Sequence, residues 1–140
     1  MKYERARAGI AEAAALLGPL MPCMPTDVVL VHIPTATSRV RQRGYDHAGL
    51  LARSLSRQER IAHVGCLSRM GQAHQVGSGR MARLRQLEHA FRLVRQDRIR
   101  GRHVVLVDDV LTSGATLETA ARVLRRAGAA RVSAIVFAQV

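Results

Sequence analysis

Three apolar runs of strand length lie along the chain, at residues 27–34, 103–109 and 131–140. Each run is nearly continuous in Val, Leu, Ile and Ala instead of alternating with polar residues. This pattern is typical of strands that are buried on both faces of a parallel sheet. We therefore expect all three runs to be buried strands of one sheet.

Helical periodicity separates these runs. Residues 3–17 predict an Ala-rich helix that ends at Gly18-Pro19, and residues 45–57 place leucines at core spacing. Residues 117–126 predict a further helix that stops at Gly128.

The segments between these elements are shorter, and several are polar or rich in glycine. They predict a basic loop at 35–44, one or two short strands within 61–69, a mobile loop at 70–80, a helix at 81–89, a short strand at 91–94 and a turn at 96–101.

Alternation of strands and helices predicts an α/β protein with three layers, in which helices flank a mostly parallel central sheet. The chain has 140 residues, enough for one such domain and too few for two. We predict a single domain over residues 1–140, with an N-terminal helical segment at 1–26 and a core at 27–140.

The net charge of +12 changes the expected partners. The stretch from 39 to 100 alone holds 14 arginines and four acidic residues, which favours polyanions such as phosphates, nucleic acid or anionic lipid. An alternative explanation for these arginines is that the whole chain is rich in arginine, without a binding role for this stretch. Aromatic residues make up only 3%, so base stacking is a poor candidate for the main binding mode.

The location in the cell is predicted to be cytoplasmic. Cys23 and Cys66 form neither a disulfide framework nor a CxxC zinc pattern. The apolar N-terminal stretch is interrupted by Glu12, Gly18 and Pro19, so it predicts neither a membrane span nor a signal peptide. The histidines show no metal-ligand spacing, and no zinc site is expected; they are His32, His47, His63, His74, His89 and His103.

Candidate chemistry lies at the end of the run at 103–109. Asp108 and Asp109 close this run, and a small, hydroxyl-rich segment with Gly114 leads into the next helix. Ligands of open parallel sheets bind outside the carboxyl ends of the strands, and a helix N-terminus after a tight loop binds anions. A sugar phosphate fits both parts, with its phosphate in the loop and its hydroxyls on the carboxylates. Neither a P-loop nor a Rossmann glycine motif is present.

The segment VVLVDDVLTSGAT resembles the phosphoribosyl-pyrophosphate (PRPP) signature of the type I phosphoribosyltransferases. RVRQRGYDHAGLLARSL and LSRMGQAHQVGSGRMARLRQLEHAF are similar to segments of the competence ComF/GntX-like branch. Asp46 and His47 depart from that branch, which usually has Asn and Gln there, and Gln86 stands in place of Asn. The zinc-binding segment that often precedes the domain in this branch is absent from the sequence.

The resemblance implies a role for each matching residue. Asp108 and Asp109 would hold the ribose hydroxyls and help to place Mg²⁺, as the catalytic carboxylates. The 5-phosphate would lie on Thr112, Ser113, Gly114, Ala115 and Thr116. The pyrophosphate would face Arg39, Arg41, Arg43 and Gly44. A mobile loop or hairpin with Arg69, Gln75 and Arg80 would close over the site, and residues 1–26 would form a hood.

The activity that the resemblance implies is transfer of the phosphoribosyl group to a nitrogenous base, with a link to DNA uptake. No general base is identified, since Thr112 stands where some relatives have Asp. Two alternatives stay open: a non-catalytic protein on the same fold that senses nucleotides or handles single-stranded DNA, and a structural subunit with an acidic partner. A homodimer is a further expectation, a membrane is not expected as a partner, and no motif supports nucleic-acid binding.

Overall fold

The structure is a computed structural model. It describes residues 2–21, 25–36, 40–42, 44–70, 89–111 and 113–140, and for residues 2–6 it describes the backbone alone. Most of the predicted mobile loop, with Gln75 and Arg80, lies outside the described residues. So does nearly all of the helix predicted at 81–89, of which only the last residue is described, in a turn.

Six strands and three α-helices make up the described fold. The strands are β1 (Val28–His32), β2 (Ala62–His63), β3 (Leu67–Arg69), β4 (Phe91–Leu93), β5 (His103–Leu111) and β6 (Arg131–Gln139). The helices are α1 (Lys2–Leu17), α2 (His47–Glu59) and α3 (Ala115–Arg126), with 3₁₀ turns at Gly18–Leu20 and Gln96–Arg98. None of the helices in this part of the chain is long and apolar enough to cross a membrane.

The central sheet contains four parallel strands in the order β2-β1-β5-β6. β3 and β4 pair antiparallel in a separate two-stranded ribbon. The segment predicted to hold one or two strands therefore holds two, which belong to different sheets. Parallel neighbours need crossover connections, and α2 and α3 supply them between β1 and β2 and between β5 and β6.

Side chains of the central strands alternate between two cores. On one face, Val28 and Leu30 of β1 pack with α1 and α2, which contribute Leu17 and Leu55. The other face packs against α3 and the β3–β4 ribbon; its core includes Val29, Val31, Cys66, Phe91, Leu106 and Leu124. The three-layer α/β fold predicted from the sequence is thus confirmed.

The direction of the crossovers locates a crevice in the sheet. From β1 the chain moves outward to β2, and from β5 it moves outward in the opposite direction to β6. The loops that leave β1 and β5 therefore diverge at their carboxyl ends. In open α/β sheets, this switch point is where ligands bind.

Some elements differ from the prediction. The prediction that β6 is a buried strand is wrong, because β6 lies at the sheet edge and none of its nine residues is fully buried. The polar segment 35–44 is not all loop: its backbone turns into a helix at 40–42, where Val40 N–H donates to the Ala36 carbonyl at 3.0 Å. β5 also extends two residues further than predicted, to Leu111.

Candidate functional site

The two adjacent carboxylates lie at the carboxyl edge of the sheet, beside the switch point. Asp108 and Asp109 belong to β5 and are partly exposed, directly after the fully buried Val107. Their backbone is held by β6, with Asp108 opposite Val136. The N–H of Asp109 donates to Oδ1 of Asp108 at 2.9 Å, which fixes the first carboxylate against its own strand.

Burial raises the pKa of Asp108 to about 7, and the neighbouring Asp109 carboxyl adds to this rise. The hydrogen bond from the Asp109 N–H and the positive charge of Arg69 act in the opposite direction. The charged form of Asp108 is thus poorly stabilised by its present surroundings. A ligand that brings a cation or hydroxyl donors would supply the missing stabilisation.

Arg69 approaches this carboxylate from the ribbon. It ends β3, its Nε donates to the Pro34 carbonyl at 3.2 Å, and its guanidinium carbon lies 5.2 Å from the ring centroid of Phe91. The assignment of Arg69 to the mobile loop is therefore wrong, because pairing with β4 makes it part of a strand. Its positive charge nevertheless acts on Asp108 and opposes the rise in the pKa of that carboxyl.

The predicted phosphate loop forms a tight turn into α3. Gly114 is the N-cap of α3 with φ +76° and ψ −8°, a left-handed conformation that favours glycine. Oγ of the exposed Ser113 accepts from the Ala115 N–H at 3.4 Å. Ala115 and Thr116 lie in the first helical turn, where backbone N–H groups point toward the loop. Thr112 is outside the described residues.

The loop that follows β1 is described only in part, since Arg39 and Arg43 fall outside the described residues. Arg41 is exposed and lies in the helical turn at 40–42. Gly44 has φ +86° and is exposed, and its N–H donates to the Val40 carbonyl at 2.6 Å.

His47 joins the site, although sequence analysis assigned it no role. Its Nδ1 lies 3.7 Å from Oδ2 of Asp109, and its ring stacks on Tyr45 with centroids 4.6 Å apart and planes 11° apart. Its Nε2 is buried without a hydrogen-bond partner in the described residues. The only signal in the sequence was that a histidine stands where the resembled branch usually has an amide.

Asp46 holds together the two ends of the loop after β1. Its carboxylate accepts from the Thr35 hydroxyl at 2.8 Å and the Gly49 N–H at 3.1 Å, and lies 3.4 Å from His32 Nε2. His32 Nδ1 is in turn 2.9 Å from His63 Nε2. Burial alone would raise the pKa of Asp46, but the bonds from His32, Gly49 and Thr35 lower it to about 2. The Asp46 carboxylate therefore ties the start of the loop, at Thr35, to the start of α2, at Gly49.

A cavity of about 320 Å³ opens beside the second carboxylate. Most of its wall is apolar, and Asp109, His47 and the phenol of Tyr45 are its ionisable members. The lining consists of Gly9, Ile10, Ala13, Tyr45, His47, Leu51, Asp109 and Phe137. The first helix, the start of α2 and the ends of β5 and β6 thus enclose a space sized for a small molecule.

The donor set at this edge suits Mg²⁺. Carboxylate oxygens are hard ligands, and Mg²⁺ is commonly held by one or two carboxylates together with substrate phosphates and water. Asp108 and Asp109 supply such oxygens, and a cation between them would stabilise the charged form of Asp108, whose pKa is raised by burial and by Asp109. Within the described ranges, no group of three or more His, Cys, Asp or Glu side chains forms an all-protein metal cage.

Comparison with known proteins gives a consistent picture. A family model of the phosphoribosyl transferase domain matches residues 40–140. The DNA utilization protein YhgH of Escherichia coli is 36% identical over 106 residues, which cover 74% of this chain and 45% of the relative. Competence protein ComFC of Bacillus subtilis is 36% identical over 102 residues, with 73% and 40% covered. This chain thus spans less than half the length of these relatives.

Among solved structures, adenine phosphoribosyltransferase from Thermoanaerobacter pseudethanolicus superposes with a TM-score of 0.60 at 16% identity. The match covers 91% of this chain and 66% of that enzyme. At this identity, the likeness concerns the fold alone, and it agrees with the parallel sheet and its flanking helices.

Proposed function

The chain belongs to the phosphoribosyl transferase domain family, and on that premise we propose that its carboxylate edge binds PRPP with Mg²⁺. The observation that carries this proposal is the pairing of Asp108 and Asp109 with the glycine-capped turn into α3, both at the switch point. The turn suits a 5-phosphate, and the carboxylates suit vicinal hydroxyls.

Different residues of this edge would hold different parts of PRPP. Asp108 and Asp109 would accept hydrogen bonds from the ribose hydroxyls and hold the magnesium ion, directly or through water. Ser113 and the first N–H groups of α3 would receive the 5-phosphate, and Arg41 would face the pyrophosphate. When bound, Mg²⁺ would neutralise charge on the pyrophosphate as it leaves.

The reaction we propose is displacement at the anomeric carbon. A ring nitrogen of the acceptor forms a bond to this carbon, while the bond to the pyrophosphate oxygen breaks and its electron pair leaves with the pyrophosphate. The acceptor nitrogen loses its proton to solvent or to a proton-accepting group of the protein, to which we assign no residue. The protein would therefore accelerate the reaction by positioning the acceptor against the anomeric carbon and by stabilising the charge on the departing pyrophosphate.

The cavity beside Asp109 supports a bound acceptor. Its apolar wall includes Leu51 and the rings of Tyr45 and Phe137, which suit a planar heterocycle. Because Asp109 lines the cavity and would also hold the ribose, an acceptor in the cavity would lie next to the sugar. This arrangement favours transfer over nucleotide sensing alone.

A link to DNA uptake or use is also proposed. It rests on the names of the relatives, which are called competence and DNA utilization proteins. PRPP binding would then serve a protein whose wider task concerns DNA.

Calorimetric titration with PRPP, with and without Mg²⁺, tests the binding proposal. We expect a Kd on the order of micromolar with Mg²⁺ and at least a tenfold loss in Asp108→Asn and Asp109→Asn. Asp97→Asn is the matched control, since Asp97 is exposed and lies on the 3₁₀ turn before β5. Absence of binding to the wild type, or an equal loss in the control, would overturn the proposal.

Pyrophosphate release tests the transfer step. PRPP and Mg²⁺ are offered with adenine, guanine, hypoxanthine or uracil, and without a base. Release that depends on one of these bases would support transfer. Tight PRPP binding without base-dependent release would instead support the sensing alternative for the same site.

A further inference from the structure

Six arginines gather at the end of the sheet opposite to the carboxylates. They lie on two segments, residues 96–102 and 125–131, which lead directly into the amino ends of β5 and β6. We call this surface the arginine face; it comprises Arg98, Arg100, Arg102, Arg125, Arg126 and Arg131.

Hydrogen bonds hold the two segments side by side. Gln96 Nε2 donates to the Ala127 carbonyl at 2.8 Å, the Gly101 N–H to the Gly128 carbonyl at 2.8 Å, and the Ala130 N–H to the Arg102 carbonyl at 3.0 Å. The charges are therefore presented from one rigid platform, which is continuous with the sheet.

The stem of Arg100 packs closely over this platform. A Cβ placed on Gly128, which has φ +100°, would meet Arg100 Cγ at 3.3 Å and Arg100 Nε at 3.6 Å. The absence of a side chain at Gly128 thus lets the Arg100 stem lie flat on the turn. Its exposed guanidinium remains at the surface.

Little within the described residues neutralises the arginine face. Five of its six members are exposed, Arg102 is partly exposed, and none forms a salt bridge in that part of the chain. Asp97 is the only acidic residue on the two segments, which together carry a net charge of +5. Asp27, just before β1 at the same edge of the sheet, acts on His103 in the direction opposite to Arg131, and it offsets one of these charges. Arg125 and Arg126 also favour the C-terminal end of the α3 dipole, but this accounts for two of the six.

We propose that the arginine face binds the phosphodiester backbone of nucleic acid. Guanidinium groups match phosphate oxygens bidentately, and several on one platform fit the repeated charges of a strand. The two segments contain no aromatic residue for base stacking, so binding is independent of sequence. They also expose no large apolar side chain that would insert into a membrane.

This surface is separate from the proposed PRPP site. The arginine face lies where β5 begins, and Asp108 and Asp109 lie near the end of the same nine-residue strand. Nucleic acid on the arginine face would therefore leave the carboxylate edge free. The two binding events should not compete.

Fluorescence anisotropy with a labelled 30-nucleotide oligothymidylate, over a series of salt concentrations, tests the proposal. We expect log K to fall with log salt, and Arg98→Gln/Arg126→Gln to flatten the slope by about 1.4, at about 0.7 for each lost phosphate contact on a single strand. At 150 mM salt, we expect about a tenfold loss of affinity. With a DNA duplex of the same length, the wild type should again bind more tightly than Arg98→Gln/Arg126→Gln.

The matched control is Arg53→Gln/Arg92→Gln, which removes the same charge from exposed positions on α2 and β4. An equal loss in this control would mean that net charge alone drives binding, and would overturn the proposal. Loss of binding in Asp109→Asn, or competition by PRPP with Mg²⁺, would place nucleic acid at the carboxylate edge and overturn it as well. The proposal would also be overturned if Arg98→Gln/Arg126→Gln lost affinity for phosphatidylserine vesicles but kept its affinity for the oligonucleotide.

Discussion

His47 Nδ1 lies 3.7 Å from Oδ2 of Asp109, so the start of α2 meets the end of β5 at the carboxylates. These two elements are far apart in the chain and stand on the two sides of the switch point. Their contact also borders the cavity in which an acceptor would lie. Substitution of His47 therefore tests how the site is built.

We expect His47→Phe to raise the free energy of unfolding by about 1 kcal/mol. Phenylalanine keeps the stacking on Tyr45 and removes the buried Nε2, and an unpaired buried polar atom costs about 1–3 kcal/mol. The lost contact with the partly exposed Asp109 contributes at most about 1 kcal/mol. Urea unfolding at pH 7 measures the difference. His47→Ala, which also loses the stacked ring, should be destabilised; a Phe variant as unstable as the Ala variant would contradict the argument.

The raised pKa of Asp108 makes a prediction about pH. Because the native pKa of about 7 exceeds the ordinary 3.8, the native state holds this proton more tightly than the unfolded chain does. The corresponding stability is present below pH 4 and is lost as the pH rises through 7.

Asp108→Asn should consequently stabilise the protein at pH 8 by roughly 2 kcal/mol, a figure reduced for partial exposure of the carboxyl. At pH 4 the variant and the wild type should differ little from this cause. Thermal unfolding followed by circular dichroism at both pH values compares them. A stabilisation that is the same at pH 4 and pH 8 would show that the carboxyl titrates normally.

Removal of the Asp46 carboxylate should loosen the loop after β1. We expect Asp46→Ala to cost about 2–3 kcal/mol, since it removes the N-cap of α2 and leaves the Thr35 hydroxyl and His32 without their acceptor. Asp46→Asn keeps an acceptor oxygen, and we expect about 1 kcal/mol. Urea unfolding at pH 7 ranks the variants, and a cost below about 0.5 kcal/mol for Ala would be inconsistent with these contacts.

The apolar runs predicted the strands well where a strand lies inside the sheet. β1 and the first part of β5 have neighbours on both sides and are buried as expected. β6 has an equally apolar sequence but lies at the edge, and its residues stay partly exposed. Composition reports the preference for a strand, whereas the place in the strand order depends on contacts between distant segments.

The same distinction applies to the candidate site, where some members can be proposed from the sequence and others appear only in the fold. Asp108, Asp109 and Gly114 follow each other along one strand, loop and helix, so a local motif is enough to locate them. The His47–Asp109 contact joins two segments that are 62 positions apart in the numbering. No local pattern encodes such a contact, and the cavity that it borders was missed for the same reason.

Gly114→Ala should weaken PRPP binding through the backbone. Gly114 has φ +76°, and alanine there costs about 1 kcal/mol without a clash, because the nearest atom to an added Cβ is Leu111 Cδ1 at 3.8 Å. Relief of this strain would rotate the turn that presents the first N–H groups of α3. Gly101 offers a matched control, since it has φ +71° with nothing within 4 Å of an added Cβ and lies at the opposite end of β5. We expect both alanine variants to lose similar stability in urea unfolding, and only Gly114→Ala to lose PRPP affinity in calorimetry, by about tenfold. Equal affinities in the two variants would show that the turn into α3 does not hold the phosphate.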